Sequence, residues 1–347
     1  MRSSFKPQSL LEWIAFTFNL VPKPILHTNV NAHLSRSLLD AVALDVFECI
    51  GHSSLTLEEL SEKTTLNKTA LYNVMHVLTS ADYFSYKNQK FSLTAVSKKW
   101  LLKDSEHSMY HGILLFRFLW GYFEHMPQYL KTGKGLDMHQ MLTPEQWDIY
   151  QKAMFEFSRG GIKEMIKKTP VPKHPAAMLD IAGSHGLLSV ELCKKHPGLE
   201  SVIFELPLAI EKASLILKSY YSGNSVKFMA GDILKDDLGE NKYDIINMAN
   251  LAHFFSTEQN IMVAKKIARA LKPGGIYILQ DMVQPVLNNH DDLLMSIQNL
   301  FFGLIGSVGT YPLEEMRNWQ EQAGLKHLKT NTFITIPYEA QVIGIKG

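Results

Sequence analysis

Along the first hundred residues, apolar positions recur at helical spacing. In SRSLLDAVALDVFECI, residues 35–50, they fall three and four apart, which predicts an amphipathic helix. Thr56 stands three before Glu59, the signature of a capping box, and predicts a helix ending near Thr64. Asn67 is the candidate N-cap of the next helix, NKTALYNVMHVLTSADYF. YFSYKNQKFSLT then reads as two short strands around a polar turn at residues 87–89. Helix, helix and small hairpin make the order of a winged helix. Ahead of it, SLLEWIAFTFNLVP is apolar but interrupted by Glu12 and Asn19, and no small-residue cleavage site follows. It reads as a buried or partner-packing helix rather than a signal peptide. No apolar run reaches the ~18 residues of a spanning helix.

Residues 107–168 continue as helix, rich in aromatic residues and Met, with Thr143 and Pro144 at a helix start. Such a stripe is ordinary core; as a group it also suits the wall of an apolar pocket. TPVPKHP, residues 169–175, breaks the pattern. Beyond it, short apolar runs at 177–181, 201–205, 226–230, 243–248 and 276–280 alternate with amphipathic segments at 187–196, 207–220 and 256–271. That alternation predicts an α/β domain with a parallel sheet covered on both faces. HLKTNTFITIPYEAQVIGIKG carries two runs with no helix between them, an antiparallel hairpin at the sheet edge. The expected domains are 1–105, a helical connector at 106–170, and 171–347.

Charge and composition narrow the partners. The formal net charge is +1 and 46% of residues are apolar. No global field draws this chain to nucleic acid or an anionic membrane. The second helix of the winged unit carries only Lys68 as a fixed cation, where a groove-reading helix needs several. An apolar packing module is the favoured reading. Cys49 and Cys193 form neither a disulfide framework nor a CxxC metal site, and a reducing cytosol is the simplest compartment.

The chemistry should gather at the strand ends. LDIAGSHG places Asp180, Ala182, Gly183 and Ser184 after the first strand, where small residues allow close backbone approach. The second strand ends in Glu205 and Leu206, an acid placed to accept from ribose hydroxyls. The third ends in Gly231, Asp232 and Ile233, suited to an adenine contact. A dinucleotide wants G-x-G-x-x-G, but here only 183 and 186 are Gly. S-adenosylmethionine carries no phosphate and is the better fit. His253, after the fourth strand, and Asp281, ending the fifth, stand as general base and orienting acid. Ser256 and Gln259 cap the following helix, and Pro273, Gly274 and Gly275 make a sharp return into the fifth strand.

With these residues in view, the chain resembles the small-molecule O-methyltransferases typified by plant caffeic acid O-methyltransferase, which include bacterial members of natural-product pathways. The resemblance runs from about residue 30 to 347. LDIAGSHG stands where the family has D-x-G-G-G-x-G, FELP at its ribose acid, GDIL at its adenine contact, and LKPGG at its return turn. LAHFFSTEQN is similar to the segment around its catalytic histidine. The resemblance implies a winged-helix dimerisation domain followed by a class I methyltransferase domain with a mostly parallel seven-stranded sheet. It also implies S-adenosylmethionine and a homodimer; no metal is expected, and because an imidazole base can reach the proton of a phenol, an aromatic or otherwise acidic hydroxyl is the expected methyl acceptor. The candidate pocket is Phe118, Trp120, Met154, Phe157, Met295, Phe301 and Phe302, closed by residues 8–20 of a partner. Ala182 and Ser184 replace family glycines, Phe254 and Phe255 replace Asp-Trp, and Thr310 stands about where a second acid would be. A related protein that binds the cofactor without transferring methyl is the alternative.

Overall fold

The computed structural model describes residues 7, 9–287, 293–306 and 308–347. The chain divides into two compact units, Ser3–Trp120 and Gly121–Gly347. The division places residues 106–120 of the expected connector with the first unit and residues 121–170 with the sheet unit.

In the first unit, strands β1 (Ser54–Leu55), β2 (Phe84–Lys87) and β3 (Lys90–Leu93) form an antiparallel sheet in the order β1-β3-β2. The expected helices are Leu57–Thr64 and Lys68–Ser80. Both caps form. Thr56 Oγ1 accepts from Glu59 N at 3.2 Å while Glu59 Oε2 accepts from Thr56 N at 2.7 Å. Asn67 Oδ1 accepts from Ala70 N at 3.0 Å. Leu60, Met75 and Leu78 are fully buried, and Phe47 stacks on Phe84 with centroids 4.7 Å apart. Of the two alternatives for the first helix, Leu10–Thr17, burial within this chain is not the one seen: none of its residues is buried, with Leu10 73% and Trp13 54% exposed. Phe118 and Trp120 belong to this unit, Phe118 in the helix Tyr110–Leu119, with Arg36 set over the Trp120 ring.

The second unit is built on seven strands: β4 (Ala177–Ile181), β5 (Glu200–Glu205), β6 (Val226–Ala230), β7 (Tyr243–Ala249), β8 (Leu271–Met282), β9 (Lys326–Thr332) and β10 (Glu339–Ile345). Their order is β6-β5-β4-β7-β8-β10-β9. The first five are parallel, and β10 is antiparallel to both neighbours, so the hairpin closes the sheet edge as expected, with its second strand β10 lying between β8 and the edge strand β9. Alternate residues serve two cores: Tyr277 and Leu279 face one, Ile276 and Ile278 the other. Burial on both faces explains the unbroken apolar runs.

LKPGG differs from expectation. It lies inside β8, and the register with β7 shifts between Tyr243 and Ile245. Gly274, at φ +76°, still donates its N–H to Lys346 O. A bulge thus replaces a turn because the backbone there stays paired to a neighbour strand. Across β8, β10 and β9 runs a buried ladder of amides. Asn331 Nδ2 donates to Gln341 Oε1 at 3.0 Å, Gln341 Nε2 to Gln280 Oε1 at 3.0 Å, and Gln280 Nε2 to Glu339 Oε2 at 2.5 Å. Burial pushes the Glu339 carboxyl up to about 7.

Candidate active site

The strand order reverses between the parallel neighbours β4 and β7, so the connections leaving their carboxyl ends run to opposite sides and open a crevice. A cavity of about 470 Å³ lies there. Ala182, Glu205, Leu206, Gly231, Asp232 and Ile233 line it from the strand ends. Three of the nine residues expected to hold a cofactor, Asp180, Gly183 and Ser184, do not line it.

Asp180 is buried beneath the loop. Its oxygens accept from Ser189 Oγ and Asn247 Nδ2, both at 2.7 Å, and Ser201 Oγ donates to Ser189 Oγ at 2.8 Å. These bonds tie β4, β5 and β7 together under the turn. A Cβ on Gly183 would come within 2.6 Å of the Asp180 carboxyl, so the loop is pressed onto its own acid. Ala182 and Ser184 adopt left-handed φ of 53° and 49°. Such a conformation costs a non-glycine residue about 1–2 kcal/mol. Ala182→Gly is therefore expected to raise the thermal midpoint by about 1–3 °C, the gain being reduced by the greater freedom of unfolded glycine. A scanning-calorimetry midpoint lower than wild type would contradict this. Ser184 has compensation: its hydroxyl donates to Gln151 Oε1 and its N–H to Glu205 Oε2.

Glu205 ends β5. Oε2 accepts from Ser184 N at 3.2 Å and Oε1 from Leu206 N at 2.8 Å, leaving each oxygen a further lone pair toward the cavity. Burial, with the nearby Asp180 charge, pushes its carboxyl up to about 7. Asp232 accepts from Leu234 N at 3.0 Å and pairs with Lys235 Nζ at 3.0 Å. Gly231 has no room for a side chain, since a Cβ would meet the Phe204 ring.

His253 sits on the short turn Ala252–Phe254. Its Nδ1 lies 2.6 Å from Asp281 Oδ1, and its own N–H donates to Asp281 Oδ2 at 3.3 Å. Met282 N also donates to Asp281 Oδ1, at 2.8 Å. Asp281 is the one carboxylate bonded to His253 among the described residues. This pair is 2% and 1% exposed. An imidazole so held on Nδ1 presents Nε2 as a base. Phe302 covers the ring, with centroids 3.8 Å apart, and Phe254 lies at 4.4 Å. His253 stands one layer behind the cavity; Leu251, Phe254 and Phe255 line it directly. Thr310 is hydrogen-bonded elsewhere. Its N and Oγ1 both donate to Asn299 Oδ1, at 2.9 and 2.8 Å.

None of the seven expected pocket residues lines this cavity. Phe302 acts through His253, and Phe301 packs on Phe302 at 5.5 Å. Met154 and Phe157 lie on the helix Pro144–Ser158, and Met295 on Leu293–Gly306. The walls come instead from Leu136, His139, Phe254, Phe255, Ile305 and Gly306. Sequence reasoning missed His139 and Tyr150, which meet at 3.1 Å. A signal was present: Tyr150 and Gln151 are polar groups within the stripe Trp147, Tyr150, Gln151, Met154, spaced as one helix face. Among the described residues no helix is long and apolar enough to cross a membrane, and no group of three acidic, His or Cys residues is placed to hold a metal.

Comparison with known proteins adds the following. Residues 128–310 match the model of the O-methyltransferase domain family. The chain is 23% identical over 319 residues to the tetracenomycin polyketide synthesis 8-O-methyl transferase TcmO of Streptomyces glaucescens, covering 89% of this chain and 93% of that protein. It is 21% identical over 317 residues to the N,N-dimethyltransferase OxyT of Streptomyces rimosus, covering 88% and 90%. Its fold is similar to that of human N-acetylserotonin methyltransferase in complex with SAM. That match has a TM-score of 0.81 at 17% identity and covers 94% of this chain and 97% of the other.

Proposed function

The chain belongs to the O-methyltransferase domain family, and from that we propose that it transfers a methyl group from S-adenosylmethionine to a hydroxyl on a small aromatic molecule. One observation carries the reading: a single cavity is lined from three strand ends by Ala182, Glu205 and Asp232, and closed by the residues that flank His253. The residues suit the cofactor. Glu205 offers two free lone pairs for ribose hydroxyls, Gly231 lets backbone approach, and Leu206 and Ile233 supply an apolar face for a base.

When bound, S-adenosylmethionine supplies a methyl group already activated as a sulfonium. The protein's share is alignment and proton removal. The apolar walls hold the acceptor in line, which is the larger contribution. His253 Nε2 is placed to take the proton of the acceptor's hydroxyl, and as the methyl passed to that oxygen its carbon–sulfur bond would break, the electron pair leaving with the sulfur as a neutral thioether. Asp281 holds the Nδ1 proton and stabilises the imidazolium. A phenol, with a pKa near 10 as for Tyr, is within reach of such a base; an aliphatic alcohol is not.

Binding without transfer is the second reading, favoured by His253 lying beneath Phe302 and behind the cavity wall. Calorimetric titration with S-adenosylmethionine, followed by product analysis with a panel of phenols, separates the two. Micromolar binding with methyl ether formed supports transfer; binding with no product from any phenol supports the second reading; no binding removes both. The proposal includes a reducing cytosol, consistent with free Cys49 and Cys193. It also includes a homodimer through the N-terminal unit, suggested by the bare apolar side chains of Leu10–Thr17. Sedimentation at the mass of one 39.4 kDa chain would remove the dimer.

A further inference from the structure

His139 lies on the short helix Met138–Met141 and lines the cavity. Three aromatic rings surround it: Trp147 at 5.7 Å, Tyr150 at 5.3 Å and Phe254 at 4.7 Å between centroids. Phe254 is also the neighbour of His253. The two imidazoles therefore share one aromatic contact, Phe254, which lines the cavity.

The proton positions on His139 follow from its partners. Tyr150 OH lies 3.1 Å from Nε2 and has no other partner among the described residues. A phenol hydroxyl within a protein needs an acceptor, so Tyr150 donates and Nε2 accepts. Burial keeps the ring neutral, pushing it down to about 4 against the opposing pull of Asp137, and His253 adds to the depression. A neutral imidazole holds one proton, which here is on Nδ1. Nδ1 has no partner among the described residues and is not among the atoms closed off from solvent. A histidine serving only as core would have both nitrogens satisfied; this one leaves an oriented N–H donor open at the cavity.

We propose that His139, oriented by Tyr150, donates from Nδ1 to a carbonyl oxygen on the methyl acceptor, so that the acceptor is an aromatic ketone or quinone that also bears the reacting hydroxyl. An N–H donor selects an acceptor oxygen, and a carbonyl meets it without competing for a proton. A conjugated carbonyl also acidifies the hydroxyl, which eases proton removal by His253. The inference rests on the reading of this cavity as the acceptor's site.

The test uses two ligands that differ only at that oxygen, 2-acetyl-6-hydroxynaphthalene and 2-ethyl-6-hydroxynaphthalene. Each is titrated by fluorescence into the full-length protein with S-adenosylhomocysteine present. Wild type should bind the acetyl compound about tenfold more tightly. His139→Phe should lose that preference while binding the ethyl compound within about threefold of wild type. His139→Gln, which retains an N–H donor, should recover part of it. No wild-type preference, no binding of either compound, or a preference unchanged in His139→Phe overturns the inference. Methyl transfer is read separately with S-adenosylmethionine. A preference that depends on His139 in a protein that transfers no methyl leaves the recognition standing and sinks the transferase reading alone.

Discussion

His253→Ala is expected to slow methyl transfer about 10²–10⁴-fold while leaving the affinity for S-adenosylmethionine within about threefold. The two effects separate because His253 stands behind the cavity wall, whereas Glu205 and the strand-end backbone line it. Removing the imidazole strips the proton acceptor but none of the groups assigned to the cofactor. Phe302, 3.8 Å from the ring, is left facing a void and should tilt into it. Asp281→Asn should give an intermediate loss, because Asn offers Nδ1 a neutral partner and no longer stabilises the imidazolium. Single-turnover rates beside calorimetric titrations resolve the pattern. A His253→Ala rate near wild type would reassign the base. A fall in cofactor affinity as large as the fall in rate would make His253 a structural residue.

Loss of Glu205 acts on the other quantity. At pH 8, Glu205→Ala should weaken S-adenosylmethionine binding about 10²–10⁴-fold, because two charge-assisted hydrogen bonds at about 1.5–3 kcal/mol each are lost. The carboxyl pKa adds a pH signature. Burial raises it to about 7, so below that pH the free protein carries a proton on Glu205. Hydroxyl donors favour the ionised form, so binding releases the proton. Affinity therefore rises as pH approaches about 7 from below and levels off above it. The sign for folding is opposite: a raised carboxyl favours the folded state at low pH, and that contribution is lost as pH rises from 4.5 toward 7. In Glu205→Gln the slope of affinity against pH should vanish. Titrations across about pH 5.5–8.5 check it, and a wild-type affinity flat over that range would remove Glu205 from the site.

Much of the fold was legible because its signals are local. The runs at 177–181 and 201–205, the capping pairs Thr56–Glu59 and Ser256–Gln259, and the pairing of His253 with Asp281 each follow from spacing or strand-end position. What was not legible depends on packing between distant segments. Asp180 is a strand-end acid like Glu205, yet Ser189 and Asn247 claim its oxygens, and nothing in LDIAGSHG shows this. The aromatic stripe marked Pro144–Ser158 as a wall, but periodicity does not say which turn meets the crevice. His139 and Tyr150 went unseen because neither lies at a strand end.

The amide ladder behind the crevice bears on how the hairpin finds its place. β8 and β10 are apolar on both faces, and sliding one past the other by two residues would keep every side chain on its own face. Hydrophobic burial alone barely distinguishes those alignments. Gln341 lies directly opposite both Gln280 and Asn331, so a slip strands three amides in a dry interior at about 1–3 kcal/mol each. The ladder is thus a register key. It sets the last strand to enter the sheet and, one residue along, fixes Ala340 opposite Asp281. The depth at which that carboxylate meets His253 is decided at a seam of buried amides on the neighbouring strands.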